Sequence, residues 1–149
     1  MEIYLSKDKI YLFDTTLRDG AQTEGVDFSL EDKNKIASVL SDIGVDYIEG
    51  GWPGANPVDT KFFSNQPKTG KTVFTAFGMT KKTGRSADND PSISALINAA
   101  CPAICVVGKA WDFHVKTALN INNDDNLENI KETAKHIICL LYTSDAADE

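Results

Sequence analysis

Four times along this chain a short apolar run gives way to a polar, glycine-containing stretch and then to an amphipathic helix, and this alternation restricts the fold more than any other feature. The apolar runs are IYLFD (10–14), VDYIEG (45–50), TVFTAFG (72–78) and PAICVVG (102–108). Between them, SLEDKNKIASVLSDIG (29–44) places Ile36, Val39, Leu40 and Ile43 on one helical face, the i, i+3, i+4, i+7 pattern of a buried stripe. Ser29 with Asp32 resembles a capping box, and Gly44 suits the position just past the helix end. A short helix is expected around 57–64 with Pro57 in its first turn, and a third over PSISALINAA (91–100), opened by Asp90 as N-cap and Pro91 at N1. The fourth, NLENIKETAKHII (126–138), puts Leu127, Ile130, Ala134 and Ile137 on one face, with Asp125 and Glu128 as a capping box. Near-continuous apolar strands separated by such helices imply a parallel sheet covered by helices. Two architectures fit: an open doubly wound sheet, or part of a (β/α)₈ barrel. A complete barrel needs about 250 residues, so 149 residues would make about half of one.

Bulk properties exclude several classes. A net charge of −7 argues against nucleic acid, which calls for a basic face. No apolar run approaches the roughly 18–20 residues of a membrane span, and MEIYLSKDKIYLF lacks the basic-then-apolar order of a secretory signal. Three cysteines, an odd number, argue against a disulfide framework and fit a reducing cytoplasm. The last eleven residues, CLLYTSDAADE (139–149), resemble the translation of a transposase adaptor used in preparing sequencing libraries. The expected organisation is therefore a partial catalytic barrel over 1–138 and a non-native tail over 139–149, excluded from fold reasoning as a cloning scar is.

The polar stretches DTTLRDG, EGGWPG, GMTKKTG and GKAWDFH all follow strands, where both architectures place their chemistry. In DTTLRDG, Asp19 offers hard oxygen to a divalent cation, and Arg18 offers fixed donors to an oxyanion or carboxylate. Spacing alone favours a surface turn with a local Arg–Asp pair.

DTTLRDGAQ resembles the first-strand signature of the DRE-TIM metallolyases, which include the isopropylmalate, homocitrate and citramalate synthases, hydroxymethylglutaryl-CoA lyase and the biotin carboxylase transferase domains. YIEGGWPGANPVDTKFF (47–63), GKAWDFHVKTAL (108–119) and the NLENIKETAKH helix narrow the similarity to the citramalate synthase group in its longer form, from about Ile10 to Ile138. The resemblance implies the N-terminal half, about four βα units, of a (β/α)₈ TIM barrel. It further implies an acyltransferase that joins the acetyl methyl carbon of acetyl-CoA to the ketone carbon of pyruvate and then hydrolyses the thioester, in the branch leading to isoleucine. By the same resemblance Asp19 would be one ligand of a divalent metal (Mg²⁺ or Mn²⁺), Arg18 would face the keto oxygen, Gln22 would sit near the same substrate pocket, and Glu49 would serve in proton handling or support its neighbours. The full-length protein would be a cytoplasmic homodimer with no nucleic-acid or membrane partner. The family's His-x-His metal pair lies on a later strand that this chain lacks; His114 and His136 do not match it. The alternatives are an isopropylmalate or homocitrate synthase acting on a larger 2-oxo acid, or a half barrel that is not catalytic as it stands.

Other conspicuous residues have plainer readings. Trp52 could wall a pocket or pack on the rim. Lys109, Trp111, Asp112 and His114 follow the fourth strand and could touch substrate or be structural. Lys81, Lys82 and Arg85 form a basic cluster that reads first as a solvated loop and second as an attractor for coenzyme A phosphates. Cys101 and Cys105 read as core packing, not a zinc pair.

Overall fold

A computed structural model of the protein describes residues 9–145, with side chains through residue 140. Four parallel strands, β1 (Phe13–Asp14), β2 (Tyr47–Gly51), β3 (Val73–Met79) and β4 (Ala103–Val107), lie side by side in chain order. Between them run α1 (Leu30–Ile43), α2 (Pro57–Ser64) and α3 (Pro91–Asn98); after β4 come a short α4 (Asp112–His114), one wide turn (Val115–Leu119) and a long α5 (Asn123–Asp145). A doubly wound sheet reverses its strand order at a switch point. Here each crossover adds the next strand on the same side, and with the right-handed connection that such units take the helices stay on one face, as in a barrel wedge. The doubly wound alternative is thereby excluded for the described residues.

The sheet has two chemically different faces. Facing the helices, Ile48, Phe74 and Ala76 pack with Phe62, Phe63, Ile93 and Leu96 into one buried core. Phe62 and Phe74 meet edge to face at 5.2 Å, a favoured aromatic geometry. Gly78 is required here: a Cβ on it would lie 2.2 Å from the Leu96 side chain. The opposite face carries Glu49, Thr75, Phe77 and Cys105, by the period-2 alternation of strands. One irregularity interrupts that alternation. Glu49 pairs with Thr75 but Gly51 with Ala76, so Gly50 is an extra residue in a β-bulge.

Local signals hold well at helix starts. Ser29 and Asp32 form the expected capping box and Gly44 ends α1 at φ 89°. Asp90 caps α3 through the Ser92 and Ile93 amides, and α2 begins at Pro57 behind an Asn56 cap. The fourth box is displaced by three residues: Asn122, not Asp125, caps α5, exchanging hydrogen bonds with Asp125. That helix also continues past Ile138 to Asp145. Residues 1–8 and 146–149, and so the N-terminal start and the tail's last residues, lie outside the described residues.

Burial is where the periodicity misleads. On α1 only Ile36 and Leu40 of the expected face reach the core, whereas Val39 and Ile43 are exposed, Ile43 by 71 %. The buried stripe is rotated onto Lys33 and Ala37. On α5 the inward face is Asn126, Asn129, Thr133 and Ile137, while Leu127 and Ala134 face out. The first strand is shorter than IYLFD, starting at Phe13, and Ile10 is 83 % exposed. β4 is half-buried along its length, not fully buried. Each of these segments lies at an end of the wedge, where packing is one-sided.

Candidate active site

The site grows from the tight turn after β1. The Thr15 carbonyl accepts the backbone N–H groups of Arg18, Asp19 and Gly20 at 3.1, 2.8 and 3.1 Å. Asp14, within β1, accepts from the Thr16 amide and hydroxyl at 2.9 and 3.1 Å, fixing the chain before it turns. This presents Arg18 to the sheet's inner face. Its Nε donates to Glu49 Oε2 at 2.6 Å and its Nη1 to Asp19 Oδ1 at 2.9 Å. The guanidinium also lies 4.2 Å from the Phe77 ring centroid, within cation–π range. The turn is thus more than a local Arg–Asp pair: its guanidinium bridges to a carboxylate 31 residues on.

Three of the four expected site residues, Arg18, Asp19 and Glu49, therefore form one bonded cluster. The fourth, Gln22, lines a cleft of ≈ 370 Å³ together with Arg18, Trp52 and Phe77. Glu49 is 1 % exposed, and its Oε1 has no hydrogen-bond partner. An orphaned, buried carboxylate oxygen is unusual and marks a place for a proton or a donor. Asp19 stands at the opposite extreme, its side chain 62 % exposed. No group of three or more His, Cys, Asp or Glu side chains suited to a metal occurs among the described residues. Asp19 fits one ligand of a divalent cation, and these residues do not make a complete coordination sphere.

Sequence reasoning missed three contributors. Phe77 supports the Arg18 plane and meets Trp52 edge to face at 5.6 Å. Cys105 sits near Glu49: burial foremost, and then the neighbouring Glu49 carboxylate, push its thiol above the ordinary range against the opposing charge of Arg18. Cys101 is pushed up to about 12 by burial, as expected of a packing residue. The third is Lys33, buried in the cleft wall and ion-paired to Asp59. A lysine on the wet-looking side of an amphipathic helix gives little warning of this; its i, i+4, i+7 relation to Ala37 and Leu40 was the available signal.

The remaining candidates lie elsewhere. His114 belongs to a separate aromatic group with Trp111 and Phe113, centroids 4.6 and 6.1 Å away, beyond the end of β4. Lys81 is buried and not solvated: it pairs with Glu132 at 2.8 Å and donates to the Arg85 carbonyl at 2.7 Å. Only Lys82 and Arg85 of that cluster are exposed. No helix among the described residues is long and apolar enough to cross a membrane.

Known proteins agree with this architecture. The chain is 47 % identical over 132 residues to the (R)-citramalate synthase of Aquifex aeolicus, covering 87 % of this chain and 25 % of that protein. It is 44 % identical over 131 residues to the (R)-citramalate synthase of Geobacter sulfurreducens, covering 86 % and 25 %. The 2-isopropylmalate synthase of Sulfurisphaera tokodaii is 33 % identical over 132 residues, with 89 % and 33 % covered. The chain thus spans about a quarter of the length of the citramalate synthases it matches. In fold it is similar to the crystal structure of hydroxymethylglutaryl-CoA lyase from Pseudomonas aeruginosa, with a TM-score of 0.62 at 21 % identity over 81 % of this chain and 39 % of that one. The HMGL-like family model matches residues 9–140, so the chain with this Arg–Asp–Glu corner belongs to the HMGL-like family.

Proposed function

We propose that this chain supplies the oxyanion-binding corner of a citramalate synthase-type acyltransferase, one that condenses acetyl-CoA with pyruvate. The observation that carries the reading is the Arg18–Glu49 pair at 2.6 Å at the joint exit of β1 and β2, with Arg18 lining the cleft. A guanidinium has five N–H donors. Two are engaged, by Glu49 and Asp19, so three remain for a 2-oxo acid. As the acetyl carbon attacks the ketone, negative charge grows on the keto oxygen. A fixed guanidinium backed by the Phe77 ring stabilises that charge without reorganising. Glu49 holds Arg18 in place through one oxygen and offers the other, Oε1, as a proton acceptor. Gln22 lines the same cleft and orients the substrate carboxylate. A divalent metal (Mg²⁺ or Mn²⁺) held in part by Asp19 would polarise the ketone; its other ligands lie outside the residues described.

The same reading places the product in the branch leading to isoleucine, the enzyme in the cytoplasm, and the full-length assembly as a homodimer. The 139–149 segment is read as adaptor-derived. Greater identity to citramalate synthases than to the isopropylmalate synthase favours pyruvate over a larger 2-oxo acid.

The test is thiol release from acetyl-CoA with pyruvate and Mg²⁺ or Mn²⁺. The 149-residue chain alone should release none. Residues 9–138, placed in the Aquifex aeolicus relative in exchange for its matching segment, should support pyruvate-dependent release. Arg18→Ala in that hybrid should lower the rate by roughly 10²–10³, the usual loss for one such donor. Full activity in Asp19→Ala would refute the metal assignment, and preference for a bulkier 2-oxo acid would move the chain to the isopropylmalate branch.

A further inference from the structure

Lys33 stands on α1, yet its side chain is buried. A buried ammonium is costly unless its charge is matched and its protons are accepted. Its acceptors come from three separate segments: the Leu17 carbonyl at 3.1 Å, the Gly50 carbonyl at 2.9 Å, and the Asp59 carboxylate. Leu17 immediately precedes Arg18, and Gly50 immediately follows Glu49. The ammonium therefore grips the backbone beside each member of the Arg18–Glu49 pair, and Leu17, Lys33 and Asp59 form part of the cleft wall.

The surroundings are built to receive it. Gly50 is the bulge residue with no partner across the β2–β3 ladder. Asp59 accepts from the Trp52 amide at 3.0 Å through its other oxygen, and its own amide is held by Asn56 at 2.8 Å. Gly51, at φ 139°, passes so close that a Cβ would lie 2.7 Å from that carboxylate. Meanwhile the β1–β2 ladder pairs only Phe13 with Tyr47 and Asp14 with Ile48, ending four residues before Arg18. Backbone pairing alone does not set the distance between the two strand exits. Buried ion pairs add little net stability over apolar packing, so stability is a weak account of this one.

We infer that Lys33, neutralised by Asp59, is a positioning residue that fixes the β1 and β2 exits relative to one another and so holds Arg18 and Glu49 at bonding distance before substrate arrives. Preorganised sites need such support behind the groups that touch substrate. This role presupposes the acyl-transfer reading for its purpose, but its test does not use that activity.

The chain contains two arginines, Arg18 and the exposed Arg85, so its ¹H–¹⁵N spectrum holds two arginine Nε–H signals, separable with Arg85→Lys. The Arg18 signal should be shifted downfield and protected from solvent exchange by its bond to Glu49. In Lys33→Met/Asp59→Asn, which removes both charges together, that signal should exchange at least about tenfold faster while thermal unfolding stays cooperative. Gly51→Ala, which crowds Asp59 and keeps both charges, should act in the same direction and serves if the double variant fails to fold. Ile93→Ala, a core truncation in α3, should lower stability and leave the Arg18 signal as in wild type. Wild-type exchange in a folded double variant or in Gly51→Ala overturns the role. So does equal loss of protection in Ile93→Ala, or a wild-type Arg18 signal without protection. A hybrid barrel with no citramalate-forming activity would sink the acyl-transfer reading and leave these signals as they are.

Discussion

The middle of the sheet and its two ends are made of similar residues and behave differently. β2 and β3 are buried along most of their length, and between them and α2 and α3 lies the aromatic and aliphatic core. At the β1 end, Ile10, Tyr11, Leu12 and Phe13 are exposed, as are Val39 and Ile43 on the neighbouring helix. At the β4 end, Trp111, Phe113, Leu127, Ile138 and Leu140 are exposed. An apolar side chain is buried when a second layer stands over it; identity and periodicity only make it willing. The middle has neighbours on both sides, and each end has one. Unpaired strand edges and contiguous apolar surface favour association.

Three variants probe that contrast, from strong to weak. Phe62→Ala, in the middle, removes a fully buried ring that contacts both Phe63 and Phe74. It should cost about 3–5 kcal/mol in urea unfolding, and a cost near zero would deny that the middle is the core. Asp90→Ala, at the start of α3, should cost about 1 kcal/mol as a lost N-cap and should also change the acid limb. Burial works against ionisation of Asp90, but the amides of Lys82, Ile93 and Ser92 outweigh it, so its carboxyl titrates below the ordinary 3.8. A carboxyl depressed in the folded state stabilises above its unfolded pKa, and that contribution is lost as pH falls through the folded value. The difference between wild type and Asp90→Ala should accordingly narrow below pH 3.8; a constant gap there would remove the electrostatic share. Val39→Lys with Ile43→Lys, at the β1 end, should shift stability by no more than about 0.5 kcal/mol. The same pair should lower self-association in sedimentation velocity. A large loss of stability would mean that this face is covered after all.

How much was legible beforehand follows the same division. Parallel βα order and helix starts at Ser29, Pro57 and Asp90 were readable, because capping chemistry is local; the inward Arg18 and Glu49 were expected only through the family resemblance, since spacing alone favoured a surface turn. Which helical face is buried was not readable, because that depends on layers contributed from elsewhere in space. Val39 and Leu127 look like core by spacing and are not, whereas Lys33 and Thr133 look like surface and are buried. Lys33 was hidden for a further reason: its acceptors are two backbone carbonyls, which carry no trace in residue identity, and one aspartate 26 positions away.

The bulge at Gly50 changes the strand's phase. Counting by twos from Glu49, Trp52 would fall level with Gly78 and look toward the helices. One surplus residue advances the count, so Gly51 sits opposite Ala76 and Trp52 comes level with Phe77, whose ring it meets at 5.6 Å. Ironing out the bulge, so that Gly50 itself paired with Ala76, would therefore act as a frameshift in three dimensions: every residue would survive, and the tryptophan would be delivered to the wrong side of the wall.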